Sequence, residues 1–231
     1  MNARSRRRRK PLRLSRYDYS QPGEYFVTIC TKDRENRFGE IVDGDMRVND
    51  FGGIVRTCWN DLPNHYRNVE LDAFVVMPNH VHGIIVLTDQ FVGATSGRTP
   101  NVKTVGATHA STDHGGTIVG DGLRPSPTKP SPTGPSPTKK HPLSEIVRAF
   151  KSFSARRINE ISKTPGAPVW QRGYYDHIIR DERSLGRIRE YIETNPRRWK
   201  SDKNNPSSTS KDEFDLWVFS ADGDHTHQGA V

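Results

Sequence analysis

The chain has 231 residues, with 35 Lys and Arg against 27 Asp and Glu, a formal net charge of +8, a pI near 9.6 and a mean hydropathy of −0.80. Nowhere does it reach the ~18 consecutive apolar residues of a membrane span, and Cys30 and Cys58 fall in no paired or metal-binding spacing, which excludes a disulfide framework and fits a reducing cytoplasm. The positive excess points to a polyanionic partner, nucleic acid first, because Lys and Arg that neutralise phosphates release counterions.

In chain order, residues 1–12 form a basic arm containing Arg4, Arg6, Arg7, Arg8, Arg9 and Lys10. It carries charge without a following apolar stretch, so the protein is expected to be neither exported nor embedded in a membrane. "EYFVTICTKD" at 24–33 is rich in β-branched and aromatic residues and predicts a buried strand. "RFGEIVDGDMRVN" places Asp-Gly-Asp between two short apolar runs and predicts a hairpin. Ile54, Val55, Cys58, Trp59 and Leu62 then recur at helical spacing. "VELDAFVVMPN" and "HVHGIIVLT" are short apolar runs joined at Pro78-Asn79, and they predict adjacent antiparallel strands.

Residues 89–141 interrupt this order with Gly, Thr, Ser and Pro, including "PSPT" at 125–128, 130–133 and 135–138. Such a segment buries too little apolar surface to offset its ordering entropy, and it is expected to be a disordered insertion. Order resumes at "PLSEIVRAFKSFSARRINEIS", a helix whose apolar stripe leaves Arg148, Lys151, Arg156 and Arg157 on a basic side. "VWQRGYYDHIIRD" predicts a loop and a strand. "ERSLGRIREYIETNPRRW" predicts a helix stopped at Asn195-Pro196. The expected architecture is α+β, an antiparallel sheet with helices packed on it, of the ferredoxin-like or RNA-recognition type. One domain would be assembled from 13–88 and 142–199, followed by a polar, mostly mobile tail at 200–231.

The motif that bears chemistry is "VVMPNHVHGIIVL". Side chains alternate along a strand, so His80 and His82 share one face about 7 Å apart. Two neutral imidazoles on one face can hold a divalent cation. They can also fill polar corners of a sheet edge, although burying polar groups without partners in so apolar a strand is costly. Gly83 leaves the backbone uncrowded, which would suit a ligand. On the last helix, Tyr191 and Asn195 stand four residues apart and within roughly 40° of each other around the axis. A carboxamide oxygen can serve as a hard ligand and a phenol as a nucleophile. Taken alone, Tyr191 reads first as a half-buried packing residue.

Together, "VVMPNHVHGIIV", "VWQRGYYDHIIRD" and "YIETNP", with "YDYSQPGEYFVTICTKDR" and "FGEI", resemble the HUH single-tyrosine transposases, and within them the REP-associated tyrosine transposases of bacteria. The resemblance runs from Arg13 to Trp199, omitting the insertion. It implies that His80 and His82 are the metal-binding pair, that Tyr191 is the nucleophile, and that Asn195 stands where relatives commonly carry Gln as a third ligand. It further implies a Mg2+ or Mn2+ cofactor and a single-stranded or hairpin DNA substrate, nicked and rejoined through a 5′-phosphotyrosine linkage. The basic arm would track phosphates, as would the basic side of the helix, and Trp170, Tyr174 and Tyr175 could stack on unpaired bases or belong to the core. Monomer and homodimer are both compatible with these features. Two competitors differ in class: a hydrolase using water at the same metal pair, and a non-catalytic DNA-binding regulator. The histidine-triad hydrolases need a third alternate histidine, and Ile84 occupies that place.

Overall fold

The structure, a computed structural model, describes residues 17–89 and 140–208. The expectations for the basic arm, for 90–139 of the insertion and for the tail from 209 lie outside these residues. In order, the elements are β1 (Gly23–Cys30), β2 (Gly39–Val42), β3 (Asp45–Val48), α1 (Asp50–Asn60), α2 (Leu62–His65), β4 (Val69–Met77), β5 (His80–Leu87), α3 (Leu143–Ile161), β6 (Tyr175–Ile179) and α4 (Glu182–Thr194), with a 3-10 segment at Asn195–Ser201.

The predicted hairpin is β2 and β3, a two-stranded sheet of its own. It turns at Asp43 and Gly44, both at positive φ (53° and 84°), the conformation that matches the twist of a tight hairpin. The main sheet has the order β4-β5-β1-β6 and every pairing in it is antiparallel. Leaving the small hairpin aside, the chain runs strand, helix, two strands, helix, strand, which is the ferredoxin-like arrangement expected from the sequence. The fold class is α+β, an antiparallel sheet with helices packed on it.

Alternation along the strands separates two cores. Tyr25, Val27 and Ile29 of β1 and Val81 and Ile85 of β5 face α1 and α3, packing with Val55, Trp59, Ile146, Val147 and Phe150. Phe26 and Ile84 face the other way, against Leu185, Ile188, Tyr191 and Ile192 of α4. The β4 register shifts between Leu71 and Phe74. This bulge inserts one residue, so that Leu71 and Phe74 both turn to the α1/α3 side while Ala73 and Val75 turn to α4. At the bulge, Asp72 receives a two-pronged contact from Arg189 of α4, Nε to Oδ1 at 3.0 Å and Nη2 to Oδ2 at 2.6 Å, which ties the helix to the edge strand.

Gly83 serves packing and not a ligand. A Cβ there would lie 2.4 Å from Trp59 Cζ2 and 3.0 Å from Phe74 Cδ2. Those two rings stack at a centroid distance of 4.5 Å, so neither can yield easily. The expected outcome for Gly83→Ala is a loss of about 1–3 kcal/mol of stability from overpacking, read as a lower urea midpoint. An unchanged midpoint would show that the indole shifts freely.

Candidate active site

His80 opens β5 and both histidines point to the α4 side of the sheet, fully buried. Their Nε2 atoms lie 2.9 Å apart. Each outer nitrogen has a hydrogen-bond partner, and for His80 that partner sets the proton. Asn79 Nδ2 donates to the carbonyls of Arg34 at 3.0 Å and Asn204 at 2.8 Å. Its Oδ1, 2.8 Å from His80 Nδ1, therefore accepts from that ring, and the His80 Nε2 lone pair faces the site. The Thr28 hydroxyl, from the neighbouring position on β1, is 2.8 Å from His82 Nδ1. A hydroxyl donates or accepts, so Thr28 serves a His82 that gives its Nε2 proton to His80 and equally a His82 that turns a second lone pair inward.

Burial, and then the charges of Lys203 and Arg34, pushes His80 down to about 3. Burial, then the neighbouring His80, holds His82 well below its ordinary 6.5. Both imidazoles are neutral at physiological pH, the state in which they ligate metals. The linkage has a definite sign. Below about pH 6.5 the unfolded chain binds protons that the folded pair refuses, so stability falls with pH down towards the folded values. The metal-free protein is therefore expected to be less stable at pH 5 than at pH 7. Urea titrations at the two pH values check it, and the double variant His80→Gln, His82→Gln should show a flatter dependence.

Tyr191 comes from α4, whose start is capped by Asp181 accepting from Ser184 N at 2.8 Å. Its hydroxyl is 3.4 Å from His82 Nε2. Its ring sits edge-on to His82 and to Phe26, at 5.1 and 6.0 Å between centroids. Asn195 retains helical dihedrals (φ −55°, ψ −41°), so it stays one turn beyond Tyr191. The α-helix ends at Thr194 with Asn195 as its cap, where the Asn195-Pro196 step was expected to stop it, and the chain runs on as a tighter 3-10 segment. Asn195 is 2% exposed, and its Oδ1 has no hydrogen-bond partner among the described residues.

The chain continues past Trp199, the domain end expected from sequence, in ordered turns to Ser208. This stretch lies against the histidines: the Trp199 ring is 6.0 Å from that of His80, and Asp202 Oδ2 is 3.6 Å from His80 Nε2. One ligand atom each from His80, His82 and Asp202 falls within 4.8 Å of the others. Adjacent ligands of an octahedral cation at ~2.1 Å stand roughly 3 Å apart. The donors gathered there, two imidazole nitrogens and a buried carboxylate oxygen, fit a small divalent cation.

Comparison with known proteins bears on this geometry. A family model described as "Transposase IS200 like" matches residues 136–195, which include Tyr191 and Asn195. An uncharacterised protein of Haemophilus influenzae is 37% identical over 198 residues, 84% of this chain and 92% of that protein. The chain belongs to the IS200-like transposase family. Among solved structures, it is similar to a REP-associated tyrosine transposase bound to a REP hairpin, with a TM-score of 0.43 and 16% identity over 80% of this chain and 72% of that one. It is also similar to a candidate transposase from Deinococcus radiodurans R1, with a TM-score of 0.39 and 20% identity over 78% and 95% of the two chains. Among the described residues no helix is long and apolar enough to cross a membrane.

In this member of the IS200-like transposase family the residues expected at DNA are not gathered in one place. Arg6, Arg7, Arg8, Arg9 and Lys10 lie outside the described residues. Arg148, Lys151, Arg156 and Arg157 belong to α3, which covers the sheet face opposite the histidines. Lys151 Nζ is committed to the carbonyl of Gln171 at 2.6 Å and to those of Arg172 and Gly173 at 3.2 Å each, so it closes a loop. Trp170 is core and not a stacking platform: it packs on Phe38 and Phe150 and donates to Ser154 Oγ at 3.0 Å. Tyr174 packs against the same core. Tyr175 alone of these aromatics is exposed, paired with Thr28 across the sheet on the histidine side, with Lys203 6.0 Å from its ring centroid. The sequence reading missed Thr28, Asn79 and Asp202. Only Thr28 left a trace, as a hydroxyl in an otherwise apolar strand.

Proposed function

We propose that this transposase-family protein is a metal-dependent single-stranded DNA transesterase. The observation that supports it is the convergence of the Tyr191 hydroxyl, 3.4 Å from His82 Nε2, on two imidazoles whose Nε2 atoms are 2.9 Å apart. His80 and His82, with Asn195 as a further oxygen donor, would hold Mg2+ or Mn2+. Such an ion, when bound, supplies Lewis-acid polarisation of the scissile phosphate. Asn79 and Thr28 keep the two rings in orientation. Phe26 and Ile188, packed with Tyr191 in one core cluster, keep the phenol in place.

In the reaction the Tyr191 oxygen forms a bond to phosphorus and the bond to the 3′ oxygen breaks. The phenolic proton passes, in net, to the 3′ oxygen, which leaves as a hydroxyl. A 5′-phosphotyrosine ester remains, so the phosphodiester bond energy is retained and rejoining needs no nucleotide cofactor. Arg34 and Lys203, whose charges already act on the histidines, add a positive field towards the incoming phosphate. Tyr175 offers an exposed ring for an unpaired base. The resemblance to the REP-associated transposases, one of which is solved with a REP hairpin, makes hairpin-forming repeats the substrate to try first. The test is incubation of the full chain with 5′- and 3′-labelled single-stranded hairpin DNA and Mn2+, followed by denaturing gel analysis. A protein-linked strand carrying the 3′ label, with a free 3′-hydroxyl on the other product, is expected. Nicking without any adduct would point to water as the nucleophile.

A further inference from the structure

We propose that Asp202 is a protein ligand of the divalent cation, delivered by the turn that follows the 3-10 segment; this rests on the reading that His80 and His82 hold such an ion. Asp202 is 2% exposed. Its two oxygens have separate tasks. Oδ1 accepts from the backbone N–H of Asn204 at 2.6 Å, which locks the carboxylate plane within the turn. Oδ2 is thereby aimed at His80, 3.6 Å from Nε2.

The turn itself is anchored where a ligand would need it. Asn79 Nδ2 donates to Asn204 O at 2.8 Å while Asn79 Oδ1 receives His80 Nδ1–H, so one carboxamide positions both the imidazole and the carboxylate turn. Arg34 Nη1 donates to Lys203 O at 3.0 Å and fastens the same turn from the other side. The separations of 2.9 Å between the imidazole nitrogens and 3.6 Å from nitrogen to carboxylate oxygen bracket the roughly 3 Å between adjacent ligands of an octahedral ion. Chemically, a carboxylate adds what two neutral imidazoles lack: a hard anionic oxygen, which favours Mg2+ and Mn2+ over softer ions and offsets one of their charges. Two histidines and one carboxylate leave coordination positions for a phosphate oxygen.

The experiment is direct metal binding by the full chain, without DNA, following free Mn2+ by electron paramagnetic resonance. Asp202→Asn keeps the Oδ1 acceptor of the turn and is expected to weaken Mn2+ binding by about tenfold or more, with the unfolding temperature of the metal-free protein unchanged. Asp202→Cys should take up Cd2+ with a thiolate-to-metal charge-transfer absorption above the baseline of the parent chain, a signature that a merely structural carboxylate would not produce. Mn2+ affinity equal to the parent in Asp202→Asn, with no new Cd2+ band in Asp202→Cys, would overturn the assignment of Asp202 while leaving the histidine pair in place. Unchanged Mn2+ affinity together with faster adduct formation in Asp202→Asn would also overturn it, showing that the carboxylate occupies the phosphate's position. A parent chain that binds no Mn2+, or a His82→Ala variant that binds it as the parent does, would instead overturn the metal reading on which the proposal stands.

Discussion

Tyr191→Phe is expected to form no covalent DNA adduct and to cleave no strand, while binding Mn2+ and DNA as the parent does. The substitution removes one oxygen and nothing else. The ring stays wedged between Phe26 and His82, at 6.0 and 5.1 Å between centroids. The contact from the lost hydroxyl to His82, at 3.4 Å, is long for a hydrogen bond, and losing that contact costs about 1 kcal/mol or less. That separates chemistry from folding: urea midpoints of the two proteins should nearly coincide while one labels DNA and the other does not. A hydrolase would retain nicking in this variant. Tyr174 and Tyr175 provide internal comparisons, the first packed against the α1/α3 core and the second exposed on the neighbouring strand. Peptide mapping that placed the DNA on Tyr175, with Tyr191→Phe still active, would overturn the assignment of the nucleophile.

His80→Ala and His82→Ala should each abolish Mn2+ binding and strand cleavage. The structure adds a cost that the strand pattern alone did not suggest. Both rings are completely buried and each satisfies a buried polar neighbour, Asn79 Oδ1 for His80 and Thr28 Oγ1 for His82. Truncation leaves that neighbour unpaired, which costs about 1–3 kcal/mol. The variants should therefore unfold at lower urea concentration than the parent and yet remain cooperative, and cleavage should be assayed well below their midpoints. In the double variant Thr28→Val, His82→Ala the stability loss should be smaller than the sum of the two single losses, because the valine removes the orphaned hydroxyl. Cleavage in Mn2+ by both histidine variants at the parent rate would sink the metal assignment.

Much of the site was legible because it depends on short periods. The two-residue alternation of β5 puts His80 and His82 on one face whatever that face packs against, and the helical period keeps Asn195 one turn from Tyr191. The Asp-Gly turn of the hairpin and the element order that defines the sheet were legible for the same reason, since each is written in neighbouring residues. Basic side chains were harder to read. Arg148, Arg156 and Arg157 form a polar side on α3 in any projection of that helix, but a projection does not say which face of the sheet the helix covers. Trp170 illustrates the same limit: its indole N–H finds Ser154 on α3, a partner no local pattern indicates.

By itself the sequence determined which side chains travel together: the histidine pair, the tyrosine with its carboxamide, and the apolar stripes that press each helix onto a strand. The tertiary structure alone decided which of those sets meet. Strand order places Thr28 beside His82 across a separation of 54 residues, and α4, not α3, lies over the imidazoles because Phe26 and Ile84 bury that helix's stripe. The turn carrying Asp202 is held against His80 by Asn79 and Arg34, in a stretch whose polar composition predicts only a tail. The physical reason is common to all three. Backbone periodicity is a local property of the chain, whereas contacts between distant segments depend on how the whole sheet closes its two cores, and no short window of residues contains that information.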